Sequence, residues 1–206
     1  MGRASRAALA LSLCLISAAT AAAAATDVTA SMPVGSMTTT PIGWIMFCHE
    51  NADDCRTSGM ASLDTTPREA TAKFLALLSG VNDRVNAEIK PVTDRELYGV
   101  EERWTYATTK GDCEDFALDK RRDLHAAGVP LGDLLMTVVR KRNGEGHAVL
   151  TVRTSEGDFI LDNLDRRVRP WNETSYTFVK RQSSTDPNIW LAVVGDGDVA
   201  VGALRK

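Results

Sequence analysis

A single cysteine stands among carboxylates in the segment Asp112-Cys113-Glu114-Asp115, directly after Gly111. The segment opens a predicted helix, and the dipole at a helix N-terminus lowers the pKa of a thiol. The carboxylates act in the opposite direction, because nearby negative charge disfavours a thiolate. A cation held by these carboxylates would remove the conflict. The segment therefore predicts a nucleophilic cysteine beside a cation site.

The other cysteines support this interpretation of Cys113. The chain has four cysteines, of which Cys14 lies in an apolar leader and Cys48 and Cys55 are close enough to form a disulfide. Cys113 is then left as an intermolecular link, an inert buried thiol or a reactive group. Burial among ionised carboxylates would be costly, so we favour a nucleophile. Zinc bound by Cys48, His49 and Cys55 is the alternative to the disulfide, but a fourth ligand at a usual spacing is missing.

A thiol nucleophile needs a base, and His147 is the best placed histidine. It follows a Gly-rich turn at the start of a predicted strand, whereas His49 adjoins the predicted disulfide and His125 lies in a polar part of a predicted helix. Asp162 follows His147 by 15 residues, and an odd separation lets two residues of an antiparallel hairpin face each other. Its carboxylate could hold the imidazole tautomer, so we predict a triad of Cys113, His147 and Asp162.

The elements that would position this triad are predicted from hydrophobic spacing. One helix should begin at Thr66, which forms a capping box with Glu69, and end before Pro91. A second helix should run from Cys113 to about Ala127. Three strands are predicted to follow, at residues 134–140, 147–153 and 158–164. This order predicts the α+β class, with N-terminal helices packed on an antiparallel sheet.

The N-terminal residues have the composition of a secretory signal peptide. Arg3 and Arg6 precede a short apolar run at 7–19, and the alanines at 21–25 provide cleavage sites. The chain is thus divided into a signal peptide, a flexible lead-in and one domain, at residues 1–25, 26–40 and 41–206. We expect a periplasmic protein without membrane insertion. The net charge of −3 is too small to indicate nucleic-acid binding.

Several segments resemble the bacterial transglutaminase-like cysteine peptidases, the group that contains the LapG-type periplasmic proteases. The most specific are Gly-Asp-Cys-Glu-Asp-Phe-Ala-Leu at 111–118, Gly-His-Ala-Val-Leu at 146–150 and Phe-Ile-Leu-Asp-Asn at 159–163. The likeness extends to residues 41–44, 91–94 and 176–181. The resemblance implies a papain/transglutaminase-type core with Cys113 as nucleophile, His147 as base and Asp162 as the orienting acid.

The same resemblance gives the predicted cation an identity. In LapG-type members, the carboxylates that flank the cysteine bind calcium, which activity requires. Asp112 and Glu114 match those positions, and Asp115 is expected as a further ligand. Oxygen ligands of this kind suit Ca²⁺.

The expected function is that of an exported, calcium-dependent cysteine endopeptidase with a protein substrate. By resemblance, the substrate would be a large surface adhesin, and an inner-membrane receptor for cyclic-di-GMP would sequester the protease. Two alternatives stay open. Transglutaminase or amidase chemistry would use the same triad, with an amine in place of water in the first case. A non-catalytic binding module would keep the fold without turnover.

Overall fold

The computed structural model describes residues 1–2, 31–56 and 66–194, in which helices pack against one large antiparallel sheet. This arrangement confirms the predicted α+β class. The predicted signal peptide, apart from its first two residues, lies outside the described ranges. Within those ranges, no helix combines the length and the apolar character that crossing a lipid bilayer requires.

The strands fall into one large and one small sheet. In chain order they are β1 (Val34–Thr38), β2 (Lys90–Pro91), β3 (Lys110–Gly111), β4 (Leu134–Arg140), β5 (Gly146–Thr154), β6 (Gly157–Leu161), β7 (Arg169–Pro170), β8 (Thr177–Gln182) and β9 (Trp190–Val193). The large sheet is seven-stranded, in the order β1-β9-β8-β4-β5-β6-β7. Strands β2 and β3 form a separate parallel pair, which ties the segments that precede two of the helices.

The helices lie before the central strands in the chain. They are α1 (Ile42–Glu50), α2 (Ala52–Cys55), α3 (Ala72–Glu88), α4 (Asp94–Tyr98) and α5 (Cys113–Ala126). Helix α5 begins at the predicted residue and ends one residue before the predicted Ala127. It packs against β4, β5 and α3, so Cys113 starts the helix nearest the middle of the sheet.

The sheet has a buried cluster on each face. Strand β4 contributes Leu134 and Met136 to the larger cluster, which it shares with α1, α3 and α5. Val139 lies at an odd separation from both residues, and therefore faces the other side. There it packs with Met32, Val149 and Ile160 in a smaller cluster. Both faces of the central strands are thus covered, which fixes their register.

The prediction of a flexible lead-in over 26–40 is wrong for the strand at its C-terminal end. Strand β1 pairs antiparallel with β9, with Thr38 opposite Trp190. Just before it, the backbone N–H of Met32 donates to Asp158 Oδ2 at 2.8 Å, and Met32 is buried. All five residues of β1 are exposed, so backbone pairing holds the strand without the alternation that would reveal it in the sequence. Residues 26–30 lie outside the described ranges.

The predicted start of the first long helix at Thr66 is also wrong. Helix α3 begins at Ala72, and Thr71 is the N-cap, whose Oγ1 accepts from Phe74 N at 3.2 Å. The backbone carbonyl of Arg68 instead accepts from Ser155 N, in the turn between β5 and β6, at 2.8 Å. Thr66 and Thr71 are both possible N-caps by residue type. The hydrogen bond between Arg68 and Ser155 keeps residue 68 outside the helix, so the helix begins after Thr71.

The predicted disulfide is confirmed, because Cys48 and Cys55 are bonded and join α1 to α2. The zinc alternative is thereby excluded for this pair. Next to the disulfide, Asp54 Oδ1 accepts from Tyr106 Oη at 2.7 Å. The backbone oxygen of Asp54 accepts from Arg121 of α5 at 3.3 Å, and Arg121 is only 1 % exposed. The disulfide loop is therefore fastened to the helix that begins at Cys113.

Candidate active site

Cys113 is the first residue of α5 and is half-buried. Its Sγ accepts from the backbone N–H of Ala148 at 3.4 Å, which joins the start of α5 to the start of β5. The thiol also donates to Glu114 Oε2 at 3.1 Å. Cys113 is the free cysteine of the described ranges, so it is available for chemistry at the point where helix and sheet meet.

Burial dominates the acidity of the Cys113 thiol. It raises the pKa well above the ordinary value, and the negative charge of Glu114 adds to the rise. The hydrogen bond from Ala148 N acts the other way but is the smaller effect. The helix N-terminus alone therefore does not produce a thiolate in the protein without a bound cation. A base within reach of the thiol, or positive charge beside it, would favour the thiolate.

His147 and Asp162 form a buried pair. The Nε2 atom of His147 lies 2.8 Å from Asp162 Oδ1, and the two residues are 6 % and 3 % exposed. Burial by itself would raise the pKa of Asp162, but the hydrogen bond and the charge of His147 outweigh it and lower that pKa. Asp162 is thus an ionised acceptor, so Nε2 of His147 is the donor of the pair.

The contact between this pair is diagonal. The register of β5 and β6 pairs Leu150 with Leu161, so the next residue, Asp162, is level with Val149. His147 is two residues from Val149 and shares its face, as the odd separation predicted. Strand β6 ends at Leu161, earlier than predicted, and Asp162 stands at the beginning of the following loop.

Asp162 has a further partner that the sequence reasoning did not identify. The hydroxyl of Tyr176 donates to Asp162 Oδ2 at 2.5 Å, while the N–H of Leu164 donates to Oδ1 at 3.0 Å. The ring of Tyr176 lies 5.5 Å from that of His147. Tyr176 belongs to a segment that carries the family resemblance, but no local pattern indicates its contact with a carboxylate 14 residues earlier.

The other side of Cys113 carries a cluster of carboxylates. Asp94, Asp112 and Glu114 each offer an oxygen, and these oxygens lie within 4.8 Å of one another. Asp112 and Glu114 were predicted as metal ligands, and Asp94 was not. Asp94 reaches the cluster because α4 begins there and its N–H donates to Asp112 Oδ2 at 3.1 Å. In the sequence, Asp94 is distinguished only by its position in segment 91–94, which resembles the same family.

Asp115, the third predicted ligand, does not join this cluster. Its Oδ1 accepts from Thr105 N at 2.9 Å, and the side chain packs against Gly111. A Cβ at Gly111 would lie 2.5 Å from Asp115 Oδ2, so the approach requires glycine. Successive helical residues point in different directions, and the turn after Glu114 carries Asp115 into the protein. Asp94, and not Asp115, therefore lies with Asp112 and Glu114 in the cluster of converging oxygens.

The carboxylate cluster is electrostatically unfavourable without a cation. Burial raises the pKa of Glu114 to about 9, and the charge of Asp112 adds to the rise. Burial also raises the pKa of Asp94. Asp94 Oδ1 and Asp112 Oδ1 are among the buried oxygens of the described residues that have no hydrogen-bond partner, and Asp115 Oδ2 is another. Three converging carboxylates, two of which have an oxygen without a hydrogen-bond partner, fit a hard divalent cation.

These groups open onto a common cleft. A cavity of about 820 Å³ is lined by residues that include Asp112, Cys113, Glu114 and His147. A smaller cavity of about 250 Å³ shares Cys113, Glu114 and His147 with it and extends to Lys180. The nucleophile and base candidates are thus accessible from the same space, and the carboxylate cluster adjoins it.

The remaining histidines are remote from this cleft. His49 is exposed on α1, and His125 is exposed near the C-terminus of α5, where its Nδ1 lies 3.0 Å from Val129 O. Neither lines the cavities that Cys113 lines. Of the histidines in the described ranges, His147 is therefore the one that could act on Cys113.

Comparisons with known proteins identify a family for this chain. No curated protein matches the chain significantly. Among solved structures, calcium-bound LapG from Legionella pneumophila is 24% identical with a TM-score of 0.49, over 66% of this chain and 77% of that chain. A second structure of that protein is 27% identical with a TM-score of 0.48, over 61% of this chain and 71% of that chain. The family model described as bacterial transglutaminase-like cysteine proteinase matches residues 34–198, from the first residue of β1 onward. The chain belongs to this family of cysteine proteinases.

Proposed function

We propose that the protein is an exported cysteine endopeptidase in which Cys113 is the nucleophile, His147 the base and Asp162 the orienting acid. One observation carries the proposal: the hydrogen bond of 2.8 Å between His147 Nε2 and Asp162 Oδ1, beside an unpaired cysteine in the same cleft. Because Nε2 is occupied by Asp162, the lone pair of His147 Nδ1 is the one available to Cys113. Membership of a cysteine proteinase family supports the assignment.

The reaction follows from these positions. His147 Nδ1 takes the proton of the Cys113 thiol, and Sγ attacks the carbonyl carbon of a peptide bond. The backbone N–H of Cys113, at the start of α5, is an oxyanion donor for the tetrahedral intermediate. His147 returns the proton to the departing amine, which leaves a thioester. Water, deprotonated by His147, then hydrolyses the thioester and restores the thiol.

We further propose that Ca²⁺ is the cation of the carboxylate cluster, with Asp94, Asp112 and Glu114 as its protein ligands. The orphaned oxygens of Asp94 and Asp112 and the raised pKa of Glu114 support a bound cation. When bound, the ion supplies positive charge next to Cys113, which offsets the carboxylates that oppose thiolate formation. The ligands themselves fix the relation between the starts of α4 and α5.

The cellular setting is proposed from the sequence and the family resemblance. The predicted signal peptide over 1–25 and the Cys48–Cys55 disulfide support a periplasmic location. The proposed substrate class is a large surface adhesin with a periplasm-exposed segment. The proposed regulatory partner is an inner-membrane receptor that senses cyclic-di-GMP. The family membership supports a protein substrate at the coarser level.

The test separates hydrolysis from acyl transfer to an amine. Protein lacking residues 1–25 is incubated with calcium, with an adhesin fragment from the producing bacterium, and separately with a glutamine-donor peptide and a labelled amine. We expect fragments whose new termini are located by mass spectrometry, and no amine incorporation. His125→Ala is the matched control for His147→Ala, since both remove an imidazole. Amine crosslinking without hydrolysis would favour the transglutaminase alternative, and the absence of both reactions would favour a binding module.

A further inference from the structure

Tyr176 is placed against the candidate catalytic residues by the sheet. It immediately precedes β8, which lies next to β4, and β4 pairs along its length with the strand that carries His147. The hydroxyl donates to Asp162 Oδ2, and the ring lies 5.5 Å from the His147 ring at an angle of 48°. Tyr176 thus contacts both members of the buried pair.

The hydroxyl of Tyr176 completes the hydrogen bonding of the Asp162 carboxylate. Oδ1 is engaged by His147 Nε2 and by the N–H of Leu164, at 2.8 and 3.0 Å. The plane of a carboxylate rotates easily about its terminal torsion, so donors on one oxygen do not fix it firmly. A donor on Oδ2 fixes the second oxygen and hence the plane. The direction in which Oδ1 meets the imidazole then becomes defined.

We infer that Tyr176 is a positioning residue for catalysis, which acts through Asp162 on the orientation of His147. Its hydroxyl holds the carboxylate plane, and its ring limits the tilt of the imidazole. No atom of Tyr176 takes part in bond making. The inference rests on the proposed function, because it assigns Tyr176 a purpose only if His147 activates Cys113.

The chain offers a matched control for the hydroxyl. Tyr106 is also half-buried, and its Oη donates to a carboxylate, Asp54 Oδ1, at 2.7 Å. Tyr106 does not line either cavity that Cys113 lines. Tyr106→Phe therefore removes the same kind of hydrogen bond without touching the pair, while Tyr176→Phe removes it next to the pair and keeps the ring.

The experiment measures the alkylation rate of Cys113 by iodoacetamide in the calcium-supplemented protein, which requires no peptide substrate. We expect Tyr176→Phe to lower the rate about tenfold, as for a hydrogen bond to a charged group, with Tyr106→Phe close to the wild type. Histidine-selective ¹⁵N NMR is the second measurement. The His147 Nε2–H proton, held by Asp162 in the wild type, should shift or broaden in Tyr176→Phe alone.

The outcomes separate this inference from the proposed function. If wild-type Cys113 reacts no faster than a free thiol and Cys113→Ala leaves peptide cleavage intact, the nucleophile assignment fails. If wild-type Cys113 is reactive and Tyr176→Phe matches it in rate and in the His147 signal, only the positioning inference is overturned. An equal loss in both phenylalanine variants, with the His147 signal unmoved, would also overturn it, because that pattern indicates a general loss of stability.

Discussion

Two groups of buried carboxylates flank Cys113, and they differ in how the protein satisfies them. Asp162 receives hydrogen bonds from His147, Leu164 and Tyr176, and its pKa is lowered. Asp94 and Glu114, by contrast, have raised pKa values, and burial is the main cause. The protein's own donors thus favour the ionised form of Asp162, whereas burial disfavours the ionised forms of Asp94 and Glu114. We call Asp162 with its donors the complete side, and the cluster of Asp94, Asp112 and Glu114 the incomplete side. In the proposed function, the complete side orients His147 and the incomplete side binds Ca²⁺.

The largest effect on activity is expected at Cys113, which lies between the two groups of carboxylates. Cys113→Ala should abolish peptide cleavage, because the reacting atom is removed. The midpoint of thermal unfolding should change little, since the half-buried side chain forms no disulfide and loses only weak sulfur hydrogen bonds. His147→Ala should lower cleavage comparably. Cleavage rates and calorimetry check both variants. An active Cys113→Ala protein would show that neither carboxylate group serves this thiol.

Removal of calcium from the carboxylate cluster should lower both activity and stability. EGTA is expected to suppress cleavage and to lower the free energy of unfolding by about 2–3 kcal/mol relative to calcium at a hundred times its Kd. Asp94→Asn should abolish calcium binding in a calorimetric titration. Asp115→Asn is the matched control, because Asp115 adjoins the ligands but turns away to Thr105. Calcium binding that needs Asp115 and not Asp94 would contradict the ligand assignment.

Loss of the Asp162 charge should lower the rate of cleavage without eliminating it. Asp162→Asn is expected to lower kcat by about 100-fold, because the imidazole loses its ionised acceptor but the reacting groups remain. Asp165→Asn is the control on the same loop, where Asp165 pairs with Arg169 at 2.6 Å. Steady-state kinetics of the two variants provide the measurement. Similar losses in both would attribute the effect to the loop and not to the contact with His147.

The last expected effect concerns stability and not activity: the calcium-free protein should show a dependence of stability on pH. The pKa of Glu114 rises from 4.5 to about 9 on folding, so between these values the folded state holds a proton that the unfolded state has lost. Stability should therefore be greatest at the acidic end of that window and fall as the pH rises through it. Thermal unfolding in EGTA measures this trend, and calcium should reduce it. A calcium-free protein that gains stability over the same window would contradict the protonated state of the cluster.

The complete side was largely predictable from the sequence, because its signals are local. Cys113 follows a glycine at a helix start, and the odd separation of His147 and Asp162 places them on one face of a hairpin. The contact of Tyr176 with Asp162 was not predicted, because it depends on the order of strands in the sheet, which the local sequence pattern does not specify.

The incomplete side was predictable only in part. Asp112 and Glu114 adjoin the cysteine, but Asp94 lies 18 residues before Asp112 and reaches it through the start of α4. Asp115 has the same local setting as Glu114, and only its burial against Gly111 and Thr105 distinguishes the two. Strand β1 was missed for a related reason, since backbone pairing at an exposed edge leaves no pattern in the side chains.

The fastening of the disulfide loop to α5 has a practical consequence at the bench. Reductants are routinely added to keep a cysteine nucleophile free, but here they would also open the Cys48–Cys55 bond. The opened loop would hold Asp54 less firmly against Arg121, a buried guanidinium that depends on such partners. Thiol reagents would thus regenerate the reactive sulfur while loosening the helix that presents it. Assays without reductant, on freshly purified protein, would report the activity of the oxidised fold.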